Sequence, residues 1–306
     1  MRSPTNIFLL LNVLILILTS VIGDLSMPTQ LIISGGLIGL VGIPHGAIDH
    51  VLFMQNNPIK PVYFYTFYFA LIGVIIFLWF FFPAVGLIVL LVLSAYHFGQ
   101  SQFCRYTYLP NPIKIFIYLF WGSSILAGLI VYNTTEIVHL FNSSQDTQEL
   151  LSVFQSSIHR YILGISTISF LVLFFYTSKA ISRKQFLMEI GLFTLIHVSF
   201  YFQSLLIGFS IYFATLHSLE VLLEEYSFLK KQLPPFNLGS FLSILIPYTL
   251  VSLLGLIILL GLSHFGVLPI SKTLVVFISI SALTLPHSIV MESFYSSFYT
   301  KLNKTN

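Results

Sequence analysis

Apolar runs of about 20 residues recur along the whole chain, separated by short polar or proline-containing breaks. Each is long enough to cross the roughly 30 Å hydrocarbon core as a helix. Ten can be drawn, at about 7–23, 30–50, 62–82, 84–103, 113–132, 159–178, 186–202, 204–223, 241–261 and 269–291. Only Pro83 separates the third from the fourth, and only Gln203-Ser204 the seventh from the eighth. The stretch 134–157, rich in Thr, Asn, Ser, Gln and Asp, reads as a solvated loop with one amphipathic turn at most. The longest break, 133–158, is too short to bury a core of its own. The pattern predicts an all-α, polytopic bundle of about ten transmembrane helices, one membrane domain over residues 1–306.

Composition sharpens this. Of 306 residues, 57% are hydrophobic and 8% charged, against about 25% charged in a soluble globular domain. That excludes a soluble enzyme, and a net charge of +3 is too small to coat nucleic acid. A single cysteine, Cys104, excludes an intrachain disulfide and any CxxC motif. Arg2 precedes an apolar run as in a signal peptide, but the run from Ile7 to Ile22 is long and no A-x-A site follows, so it reads as a retained span.

Charge gives an orientation. With the N-terminus cytoplasmic, the inner segments hold Arg2, Lys60, Arg105, Lys114, Lys179, Arg183, Lys184, Lys230, Lys231, Lys301 and Lys304, and the outer ones only Arg160 and Lys272. An eleven-to-two split is what the positive-inside rule asks of a multi-pass protein of the cell membrane with both termini cytoplasmic.

Nine histidines are the odd feature of this composition. On that topology His45, His97, His217 and His287 lie toward the inner ends of the second, fourth, eighth and tenth spans. Ionisable groups inside spans are costly and mark function by default. Four separate helices thus offer an imidazole at similar depth. His139, His159 and His264 fall in or beside outer loops, where a solvated ring is the plain reading, and His197 reads as a core histidine bonded to a serine or carbonyl.

The inner set has suggestive neighbours. Proline precedes both His45 and His287, bending the helix and freeing a carbonyl one turn back. Asp49, four residues after His45, is about 40° away around a continuous helix and suits the outer shell of a metal-bound histidine. His50 falls about 140° round. Glu220, three residues after His217, reads as a ligand, an outer-shell acceptor or, with Glu224 and Glu225, a surface charge. Converging neutral imidazoles suit iron, copper, zinc or nickel better than magnesium or calcium. Bis-histidine haem and charge-relay transport are the competing uses.

The segment Gly-Ile-Pro-His-Gly-Ala-Ile-Asp-His at 42–50 resembles the signature of the Brp/Blh family of membrane β-carotene dioxygenases. His97-Phe98-Gly99-Gln100-Ser101, His217-Ser218 and Leu285-Pro286-His287 are similar to its later motifs, in the same order. The resemblance implies central cleavage of β-carotene by dioxygen into two retinals, with Fe(2+) held by His45, His97 and His217. Some members carry a further histidine four residues after the position of His217; here it is Val221. His287 or, less well, His50 then supplies the fourth nitrogen. A carotenoid dissolved in the lipid bilayer would enter sideways, past some of the 31 Phe and 16 Tyr; of these, Tyr96, Phe98 and Tyr212 are the ones read as lying near the metal. A rhodopsin receiving retinal is an implied partner. The alternative is a non-enzymatic membrane protein, a metal or haem carrier or an opsin-related assembly factor.

Overall fold

The computed structural model describes residues 3–106, 109–142, 144–178 and 181–305, and among them there is helix and no strand. The helices are α1 (Ser3–Ile22), α2 (Met27–Leu37), α3 (Asp49–Asn56), α4 (Pro61–Phe81), α5 (Pro83–Phe103), α6 (Asn111–Tyr132), α7 (Thr134–Asn142), α8 (Gln148–Gln155), α9 (Ile158–Thr177), α10 (Arg183–Phe202), α11 (Leu205–Tyr212), α12 (Leu219–Gln232), α13 (Leu238–His264) and α14 (Lys272–Thr305). Ten helical stretches among the described residues are long and apolar enough to cross a membrane, with α2–α3 and α11–α12 each counting as one. This is an all-α, multi-pass membrane bundle. Of the basic residues that set its orientation, Arg2 and Lys179 lie outside the described residues.

Both slender breaks between spans are real. Pro83 opens α5 at a first-turn position, where its missing N–H costs nothing, after Phe82 leaves helical geometry. Gln203 takes an extended conformation and closes α10, and α11 starts at Leu205. The stretch 134–157 differs from expectation. It forms α7 and α8, whose Ile137, Phe141, Leu150 and Phe154 are buried against Trp79 and Leu87. The i, i+4 spacing of each pair makes the apolar stripe of a surface helix, hidden in the sequence by the polar residues around it. His159 follows it inward: it is buried, and its Nε2–H donates to the Val153 carbonyl at 2.7 Å. His139 and His264 are exposed, as expected.

The closest packing joins α5 to α6. A Cβ on Gly99 would overlap the Tyr118 backbone, and one on Gly122 the Ala95 backbone. Small residues let membrane helices meet backbone to backbone, and here they fix the helix that carries His97. We expect Gly122→Ala to destabilise the protein by roughly 1–3 kcal/mol, the usual cost of overpacking. Gly164→Ala, with open space around it, should be neutral. Thermal melting in detergent measures both.

Candidate metal centre

Two of the four inner histidines sit where the helix is irregular. After α2 the second span widens into a π turn (Ile38–Gly42) and tightens into a 3-10 turn (Ile43–Gly46) that carries His45. Pro44 cannot donate to the ladder, and changing the turn type accommodates it. The eighth span has its own π turn, Phe213–Ser218, holding His217. Gly42 lets the two turns meet, since a Cβ there would lie 2.8 Å from Cε1 of Phe213. His97 and His287 project from the regular helices α5 and α14, the latter just after Pro286.

The four rings converge. Centroids are 5.1 Å apart for His45–His217, 4.9 Å for His45–His287, 4.8 Å for His97–His217 and 4.9 Å for His97–His287, all edge-on. Ligand atoms of His45, His97 and His287 lie within 4.8 Å of one another. Rings whose nitrogens sit about 2.1 Å from one ion have neighbouring centroids about 4.6–5.3 Å apart for angles from 90° to tetrahedral. The observed spacings fall in that interval. A haem macrocycle needs two opposed rings and an empty plane between them; here each ring has two others within 5.1 Å. The arrangement suits a bare ion.

Hydrogen bonding turns the same nitrogen outward on three rings. The Nδ1–H of His45 donates to the Gly42 carbonyl, and that of His287 to Asp49 Oδ1 at 2.8 Å. Ser101 gives its own proton to the Phe98 carbonyl, so its Oγ accepts from Nδ1–H of His217 at 3.0 Å. With Nδ1 protonated, Nε2 carries the free lone pair, the tautomer a metal takes. Among the described residues, Nε2 of His217 and His287 and both nitrogens of His97 are buried without a partner. Buried orphans of this kind are rare and call for an explanation. A bound cation supplies one.

Asp49 corrects the helical-wheel reading. It bonds His287 rather than His45 because the helix is interrupted between Gly46 and Asp49, so four residues there do not span one helical turn. Its Oδ2 accepts from Tyr68 at 2.9 Å. His50 points elsewhere, its ring against Tyr248 at 4.4 Å. Glu220 is neither beside the histidines nor a solvated charge: it is ion-paired with Arg105 at 2.9 Å, and Arg105 also binds Glu189 at 2.9 Å. Glu225, read as a surface charge, is wholly buried. His197 is bonded by Ser124 at 3.2 Å, as expected.

Of the aromatic residues singled out, Phe98 packs its ring 4.8 Å from His217. Tyr212 lies behind Phe98, and Tyr96 donates to Glu292 at 2.8 Å. The sequence reading missed Phe213, stacked on His217 at 5.3 Å and edge-on to His45 at 5.5 Å; four residues before His217, it was visible as the preceding turn of the same helix. It also missed Tyr68, for which no local signal exists. Beside Tyr68 and Pro286, an apolar hollow of about 190 Å³ opens between α4 and α14, lined also by Phe53, Phe64 and Val290.

A family model described as beta-carotene 15,15'-dioxygenase matches residues 37–295, most of the chain and all four converging histidines. No curated protein matches, and no solved structure does.

Proposed function

Because the chain belongs to the beta-carotene 15,15'-dioxygenase family, we propose that it cleaves β-carotene at the central double bond with dioxygen, giving two retinal molecules, at ferrous iron held by His45, His97, His217 and His287. The observation that carries this reading is the cage of four imidazoles, three of them with their Nδ1 protons directed outward, and the buried ring nitrogens left without partners. When bound there, ferrous iron supplies the one-electron chemistry that lets a closed-shell polyene react with dioxygen.

The protein's own tasks are orientation and exclusion. Gly42, Ser101 and Asp49 fix the tautomers and ring planes of three histidines. Phe98 and Phe213 cover the cage with apolar surface and keep water from it. Each oxygen atom of dioxygen ends in one aldehyde, so the reaction consumes no proton and no outside electron. That chemistry needs no acid or base beside the polyene. The hollow between α4 and α14 borders Pro286 and Tyr68, next to His287 and Asp49. At about 190 Å³ it is below the roughly 300–1,000 Å³ of a drug-sized pocket. We assign both termini to the cytoplasm on the eleven-to-two division of basic residues.

The test is purification in mild detergent, metal analysis, and product analysis with β-carotene in air. Iron near one equivalent per chain and two retinals per carotene consumed are expected. A haem absorption band, or bound metal with no aldehyde formed, would overturn the proposal.

A further inference from the structure

The four histidines are each at most 8% exposed, so an ion has to reach them through the protein. α12 and α14 lead away from the centre side by side, as the Phe228 ring packed 5.2 Å from Phe294 and 6.1 Å from Phe298 shows. Positions four and eight after His217 are Val221 and Glu225. Four, eight and twelve after His287 come Met291, Tyr295 and Tyr299. Each row follows one helix face, and eight residues span about 12 Å.

Beyond the apolar Val221 and Met291, this lining turns polar where a membrane bundle should be apolar. Glu225 is 0% exposed, and among the described residues neither of its oxygens has a partner. Tyr295 is 4% exposed, and its hydroxyl, turned toward Glu224, makes no bond of ordinary length among the described residues. Glu224, only partly buried, accepts from Tyr299 with one oxygen and leaves the other, toward Tyr295, without a bond of ordinary length. These groups form one set: Glu225 feels the charges of Asp49 and Glu224, and Tyr295 those of both glutamates. Asp49 in turn bonds His287. Arg105, the nearby guanidinium, is engaged by Glu189 and Glu220.

A buried carboxylate without a donor is costly, and like charges raise the cost. A passing cation offsets both. We propose that Glu224, Glu225 and Asp49 form an entry route along which ferrous iron passes from the Lys230-Lys231 end of α12 to the histidine cage. The inference rests on the proposed iron centre. Carboxylate oxygens hold the ion loosely; the imidazoles, better ligands for a first-row metal of this kind, draw it inward. The path ends at Asp49, which is also the residue that orients His287.

Metal-free protein in detergent micelles, mixed with cobaltous chloride under nitrogen, reports uptake through the visible bands of histidine-bound cobalt. Glu225→Gln should slow uptake about tenfold, the lower end of what focused charge contributes to on-rates, and reach the same final cobalt content. Glu224→Gln, closer to the surface and less exposed to folding defects, should slow it by a smaller factor. Glu149→Gln, on an exposed face of α8, should load at the native rate. Native uptake rates in both Glu224→Gln and Glu225→Gln would overturn the route and leave the centre standing. Lower final content in both, without slower uptake, would overturn it in favour of a structural role. A wild-type chain that takes up no cobalt would remove centre and route together.

Discussion

Alanine in place of His97 should abolish iron binding and retinal formation together while leaving the metal-free protein at least as stable as the parent. His97 is 2% exposed and, among the described residues, neither ring nitrogen has a hydrogen-bond partner. In the metal-free state such a ring contributes a desolvation cost without a compensating bond. Removing it relieves that cost, at the expense of a small void between α5 and its neighbours. With metal present the balance reverses, because one of four nitrogens is lost. The loss should exceed the roughly 10–100-fold typical of an outer-shell partner. The informative measurement is melting temperature with and without ferrous iron: the parent should gain stability from the metal and His97→Ala should not. His197→Ala is the matched control, since His197 is also in a span but bonded by Ser124. A parent protein whose melting is indifferent to iron, or a His97→Ala variant that still forms retinal, would contradict the centre.

That the four histidines meet was legible because depth in a membrane is a coordinate that sequence supplies. Span order and the charge of the connecting segments fix which helix end is which, so His45, His97, His217 and His287 were assigned a common level without knowledge of packing. The breaks at Pro83 and Gln203-Ser204 were readable for a related reason: a run too long for one crossing has to turn, and those are the residues that tolerate a turn. Angular relations were less secure. The 40° separation of His45 and Asp49 presumed a continuous α-helix, and the chain instead passes through a π turn and a 3-10 turn before restarting at Asp49. Pro44 was the visible warning, yet a proline announces a disturbance without giving its rotation.

Charged residues near a span end were the other blind spot. Glu220, Glu224 and Glu225 follow each other at the end of an apolar run and read as surface, but α12 turns one face inward, burying Val221, Glu225, Phe228 and Leu229. Glu220 there meets Arg105, which is 115 positions away in sequence. Long-range pairs of this kind leave no periodic trace. The amphipathic α7 and α8 escaped for the opposite reason, since helices of nine and eight residues are shorter than the windows that reveal membrane spans.

Asparagine at position 49 should lower retinal formation about 10–100-fold, the usual consequence of losing an outer-shell carboxylate on a metal-bound histidine, with the fold intact. Asp49 Oδ1 accepts from His287 and Oδ2 from Tyr68. In Asp49→Asn the amide oxygen can still accept from His287, and Tyr68 can turn its hydroxyl to accept from the new NH₂ group. Shape and tautomer survive; the negative charge that makes the His287 imidazole a stronger donor to metal does not. Tyr68→Phe gives the complementary perturbation, removing one hydrogen bond from Asp49 while keeping its charge, and should cost less than Asp49→Asn. Iron affinity and turnover measured on the same preparations separate the two effects, with the exposed His139→Ala as a neutral control. Equal losses in Tyr68→Phe and Asp49→Asn would mean that geometry rather than charge matters at this position. Full turnover and full iron content in Asp49→Asn would free His287 from any need of Asp49, and would leave the 2.8 Å bond between them a packing contact alone.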